Sequence, residues 1–139
     1  MNLLEMCDME AAFVRVETTA EQAIRTMLER NVGAVAVIDD DRRVAGVFTE
    51  RDVLLRLSLS RRDPASTPVR EVMTTPVEMA TRATTPSEAL ATMVERHYRH
   101  LPIVDDEGRL LGMLSIRNVL EARIDTLTRQ LDEARSLPH

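Results

Sequence analysis

Thr49 and Asp52 stand three residues apart in the segment GVFTERD (46–52), and Ser115 and Asn118 repeat that spacing in GMLSIRN (112–118). A hydroxyl and a carboxylate spaced this way at the start of a helix can do two things. They can cap the helix, each side chain bonding the other's backbone N–H. They can also face a ligand: a carboxylate accepts two charge-assisted hydrogen bonds in the geometry of a cis-diol, and the free N–H groups of a helix start attract an anion. Arg51 and Arg117 follow the two hydroxyls by two positions and are placed to face a phosphate. An amide at position 118 still accepts one bond and donates another, without the charge.

Other chemistry is thinly supplied. All 18 basic residues are Arg, so a Schiff-base lysine and a Walker-type phosphate lysine are both excluded. Histidine occurs only at 97, 100 and 139, which leaves few parts for a nucleophilic centre. HYRH (97–100) sets two His three apart, but no Cys or acid cluster accompanies them, and no metal site is expected. The acidic turns DDDR and DDEG lack the ligand spacing of a calcium loop. The inventory points away from an enzyme, and no cofactor is called for. A net charge of −5 argues against a sequence-blind nucleic-acid binder. The single Cys7 fits a reducing compartment. No basic leader opens the chain and no apolar run approaches a membrane span, so the expected location is the cytoplasm.

The elements that must position these residues occur twice. Residues 18–54 align on 84–120 at a constant offset of 66, with 14 identities in 37 positions. In each copy a capping box (Thr19 with Gln22, Thr85 with Glu88, the second carrying Pro86) opens an apolar stripe at helical spacing. Buried strands follow over 34–39 and 101–105, then the acidic turns, then strands over 43–49 and 109–115. Second helices start at Glu50 and Ile116. Short strands are expected ahead of each unit, FVRV (13–16) and PVEM (76–79), with the first copy three residues shorter between strand and helix. Each half is thus β-α-β-β-α and too small to be comfortable alone. The expected fold class is α/β (α+β): two such repeats packed sheet to sheet with pseudo-two-fold symmetry, plus a C-terminal helix. The expected boundaries are 1–59 for the first repeat, 60–68 for a linker, 69–122 for the second repeat and 123–139 for a helical extension. VREVM (69–73) reads as a short helical turn.

The order T-x-x-E-A, apolar strand, D-D/E-x-x, then h-x-G-h-h-T/S-x-x-D/N resembles the cystathionine β-synthase (CBS) domain. Two copies resemble a CBS pair, or Bateman module, of the small stand-alone bacterial kind. The likeness spans roughly residues 10–122. It implies a non-catalytic regulatory sensor for an adenosine-containing ligand: AMP, ADP, ATP, S-adenosylmethionine or a relative. The motif acid would hold the ribose hydroxyls and the motif hydroxyl would approach ribose or phosphate. By position the first site would use Thr18, Thr49, Arg51 and Asp52. The second would use Thr84, His100, Pro102, Ser115, Arg117 and Asn118. Asp52 is then expected to be the better ribose acceptor, while Thr84, His100 and Pro102 keep other family features in the second half. Tyr98, which replaces Val32, would lie against a base or in the core.

The tail 116–135 carries Ile116, Leu120, Ile124, Leu127, Leu131 and Ala134 along one seam. Charges flank it, including Asp125 and Arg129 at i,i+4. The seam folds back on its own repeat or reinforces a homodimer built mainly by the repeats. Output would pass in trans to an effector protein. The alternative is a ligand-free structural or protein-interaction module.

Overall fold

The computed structural model describes residues 2–136. Its elements are α1 (Leu3–Met6), β1 (Phe13–Arg15), α2 (Ala20–Arg30), β2 (Ala34–Ile38), β3 (Val44–Thr49), α3 (Glu50–Asp52, continuing as a π-helix over Val53–Ser58), a 3-10 turn (Val69–Glu71), α4 (Pro86–Arg96), β4 (His100–Val104), β5 (Leu110–Ser115) and α5 (Ile116–Ser136). Local chemistry sets the boundaries. Thr19 caps α2 by accepting from the Gln22 N–H at 3.2 Å, and Thr85 caps α4 by accepting from Glu88 at 3.1 Å. Both helices stop on a left-handed residue, Asn31 (φ 52°) and His97 (φ 59°). His97 is therefore a helix terminator with an exposed side chain. The hairpins turn on aspartates: Asp39 accepts from the Asp41 and Arg43 N–H groups, and Asp105 from Glu107 and Arg109, at 2.8–3.0 Å.

The first sheet has the order β1-β2-β3, parallel then antiparallel; the second is the antiparallel pair β4-β5. The strand expected over 76–79 does not form. In its place Ala80 makes a single parallel bridge to Ile103, donating to the Pro102 carbonyl and accepting from the Val104 N–H. The first sheet shows why. There Ala36 donates to the Ala12 carbonyl and extends the ladder. Its counterpart 66 residues on is Pro102, which has no N–H to give. The bridge also corrects the expected length difference: Val14 faces Val37 and Ala80 faces Ile103, both at the offset of 66. The two copies are equally long.

The repeat reaches further back than the sequence suggested, and its ends cross over. Leu3 of α1 sits in the second half's core with Met93, Leu101, Ile103 and Leu114. Its counterpart Val69 sits with Val72 and Met73 in the first half's core, against Val35, Val37 and Phe48. Asp8 pairs in both directions with Met113 of β5, as Thr74 does with Val47 of β3. This crossing needs the motif glycines. A Cβ on Gly46 would lie 2.6 Å from the Thr74 carbonyl oxygen, and one on Gly112 would lie 2.7 Å from Cys7 Sγ and 3.0 Å from the Asp8 oxygen.

The halves meet through a small cluster that includes Ala36, Ile38, Leu110 and Met113. Around it the bonds exchange partners as a two-fold axis requires. Val44 donates to the Gly108 carbonyl and Leu110 to that of Arg42, at 3.0 and 3.1 Å. Arg43 Nε donates to the Glu107 carbonyl and Arg109 Nε to that of Asp41.

Candidate functional site: two clefts between the repeats

Each motif lies where β3 or β5 turns into a helix. The incoming N–H is already used at both: Glu50 donates to the Gly33 carbonyl at 3.1 Å and Ile116 to that of Arg99 at 2.8 Å. The crossed segments bring 74–75 alongside β3 and 7–8 alongside β5. Both copies therefore border each motif.

Asp52 is almost fully enclosed, at 3% exposure. Its Oδ2 accepts from the Thr49 N–H at 3.0 Å and the Thr49 hydroxyl at 3.1 Å, while its own N–H donates to Thr49 Oγ1 at 3.2 Å. Arg56 Nε donates to Oδ1 at 3.2 Å. The Thr74 hydroxyl reaches both oxygens, at 2.9 and 3.1 Å. A buried carboxylate is costly unless so partnered. Thr74 and Arg56 were not among the candidates. Arg56 is legible as an i,i+4 partner of Asp52. Thr74 is 22 residues away, and only its equivalence to Asp8 at the repeat offset marks it.

The second motif is more open. Asn118 Oδ1 accepts from the Ser115 N–H at 2.8 Å, and the Asn118 N–H donates to Ser115 Oγ at 3.0 Å. Asn118 is half-buried, and among the described residues its amide nitrogen has no hydrogen-bond partner. Ala122 stands where the first copy has Arg56, and Asp8 where it has Thr74.

Thr18 and Thr84 act alike: their hydroxyl oxygens accept from the N–H groups of Arg15 (3.2 Å) and Thr81 (3.0 Å), closing the turn before each helix. His100 pairs by backbone with Ser115, but its ring turns toward the first half. A Cβ on Gly33 would meet His100 Cε1 at 3.6 Å and Glu50 Oε1 at 3.4 Å. Burial pushes the imidazole pKa below its ordinary value; Glu50 partly offsets this and Arg99 adds to it. Arg51 is exposed and has no ion pair among the described residues, whereas Arg117 pairs with Glu121 at 2.9 Å. Pro102 is fully buried in β4. Tyr98 packs against the second core. The geometry thus brings Thr49 to Asp52 and Ser115 to Asn118, turns His100 toward the opposite half and keeps Pro102 inside. Two surface hollows of about 230 Å³ lie elsewhere, one at Arg82 and the Asp105–Arg109 turn, the other at Met9, Phe13, Arg30 and Arg42.

Comparison with known proteins converges on one family. The CBS domain model matches residues 6–59 and 69–125. An uncharacterised 17.7 kDa protein of Acidianus ambivalens is 39% identical over 117 residues, 84% of this chain and 70% of its own length. The chain spans about half or less of the other leading curated relatives. A putative signal-transduction protein with CBS domains from Burkholderia ambifaria superposes with a TM-score of 0.82 at 29% identity, covering 90% of this chain and 95% of that one. CBSX2, a CBS-pair protein of Arabidopsis thaliana, has been solved in complex with AMP; that structure superposes with a TM-score of 0.78 at 25% identity, covering 90% and 97%. The chain belongs to the CBS domain family and carries two CBS domains in tandem.

Proposed function

We propose that this CBS pair is a regulatory module that binds an adenosine-containing ligand in the clefts between its repeats and passes the bound state to a partner in trans. AMP, ADP, ATP and S-adenosylmethionine are the candidates. The observation that carries the reading is the doubled hydroxyl/acid-or-amide pair at a helix start, each bordered by the crossed segment of the other copy. Thr18, Thr49, Arg51, Asp52, Thr84, His100, Ser115, Arg117 and Asn118 line or border the clefts in this reading, and Pro102 supports β4 from within. The AMP complex of CBSX2 supports the choice of ligand class. No helix among the described residues is long and apolar enough to cross a membrane. We propose, as a separate reading, a cytoplasmic homodimer. The module is read as non-catalytic.

Because each cleft takes residues from both repeats, a ligand that prefers one angle between them shifts that equilibrium by its difference in affinity for the two arrangements. A thermal-shift screen with the four ligands tests the reading. One of them at a hundred times its Kd stabilises the fold by about 2.7 kcal/mol. A melting temperature unmoved by all four at millimolar concentration speaks for the second reading, a ligand-free interaction module. That reading draws on Asp52, whose carboxylate is already satisfied by Thr49, Thr74 and Arg56.

A further inference from the structure

The two clefts differ in the side chains they carry at equivalent stations. At the offset of 66 the first cleft pairs Asp52 with Thr74 and Arg56, and the second pairs Asn118 with Asp8 and Ala122. The acid has changed sides. Asp8 and Thr74 hold the same station: each forms a two-way backbone bridge to the residue two places before the motif hydroxyl, Met113 and Val47 respectively. In the first cleft the side chain at that station reaches the side chain at the motif's last position: the Thr74 hydroxyl lies 2.9 Å from the Asp52 carboxylate. The Asp52 carboxylate of the first cleft is thereby already engaged by the Thr74 hydroxyl at both oxygens. In the second cleft no such bond forms among the described residues. Asp8 is exposed; one of its oxygens accepts from the Glu10 N–H at 2.9 Å, and the other has no partner among the described residues. The Asn118 amide nitrogen is equally unengaged among them. Ala122 supplies no guanidinium to compete.

We infer that Asp8 is the ribose-binding carboxylate of the second cleft, acting with the Asn118 amide, and that this cleft, not the one at Asp52, is the chain's principal ligand site. The amide donates to one hydroxyl of a cis-diol while the carboxylate accepts from the other with charge assistance. The inference rests on the nucleotide reading above and fixes where in the chain that reading operates.

Isothermal titration with AMP tests it on three proteins: the unaltered chain, Asp8→Asn, and the double variant Asp8→Thr with Asn118→Asp, which rebuilds the first cleft's pair in the second. One AMP per chain is expected for the unaltered protein. Asp8→Asn loses at least tenfold in affinity with an unchanged melting temperature, since the residue is exposed. The double variant, its acid engaged in the same way, also loses at least tenfold. AMP binding that Asp8→Asn leaves untouched, or that the double variant tightens, overturns the inference and leaves the nucleotide reading standing. No binding of AMP, ADP, ATP or S-adenosylmethionine by the unaltered chain removes both.

Discussion

At the scale of single residues, the CBS motif is first a packing device. Its glycine admits the crossed segment, and its hydroxyl and acid or amide cap a helix. Gly46→Ala forces a methyl group against the Thr74 carbonyl oxygen, which is backbone and yields little. A loss of about 1–3 kcal/mol is expected in denaturant unfolding. Gly112→Ala is expected to cost less, because the nearest atom there is the Cys7 side chain. Thr74→Val removes a hydroxyl from a buried carboxylate and is expected to cost about 1.5–3 kcal/mol, typical of a hydrogen bond to a charged group. A Thr74→Val protein as stable as the parent would mean that Asp52 does not depend on that bond. His100 gives the fold a pH dependence. Burial lowers its folded pKa below the ordinary 6.5, against Glu50 and with Arg99. The folded state therefore favours the neutral ring. This stability is complete above about pH 6.5 and is lost as pH falls from there through the folded pKa. His100→Gln should flatten that part of a melting-temperature profile between pH 7.5 and 5; a profile unchanged by the substitution would clear His100 of the effect.

At the scale of elements, what was legible in the sequence was local. Thr19, Thr85 and Pro86 announce the helices, the Asp39 and Asp105 turns announce the hairpins, and the paired helices begin at Glu50 and Ile116 as their caps predict. What was not legible depends on a partner. The strand expected over 76–79 reads well by itself, yet it lacks the donor that Pro102 cannot supply. The crossing of Leu3 and Val69 lies in segments too short to show a period. The π-helical turn at Val53–Ser58 follows from no residue type in VLLRLS. The tail helix is settled in part: α5 turns Val119, Ala122 and Thr126 inward, while Leu120, Ile124, Leu127 and Leu131 remain 46–60% exposed. Of the seam, Ile116 packs on the second core, and from Leu120 to Leu131 it does not fold back on its own repeat. If it reinforces the proposed homodimer, Ile124→Ser with Leu131→Ser should leave the melting of the isolated chain nearly unchanged, within about 0.5 kcal/mol per site. The same change should lower the mass seen by light scattering. An unchanged mass would take the seam out of the dimer.

At the scale of the whole molecule, the offset of 66 governs helices, hairpins, crossing segments and the reciprocal bonds between halves. Function is to be sought where that symmetry is broken. Asp52 against Asn118 was visible from the sequence. Thr74 against Asp8 was not, because neither lies near its motif along the chain and only the crossing brings them there. Ranking the clefts by the motif acid alone therefore names the more satisfied carboxylate rather than the more available one. Binding of an adenosine-containing ligand between the repeats of this CBS pair is tested most directly by titration of the unaltered chain with AMP. Saturable heat at a stoichiometry of one AMP per chain is the predicted result. Absence of any saturable heat at millimolar AMP, repeated with ADP, ATP and S-adenosylmethionine, would contradict it.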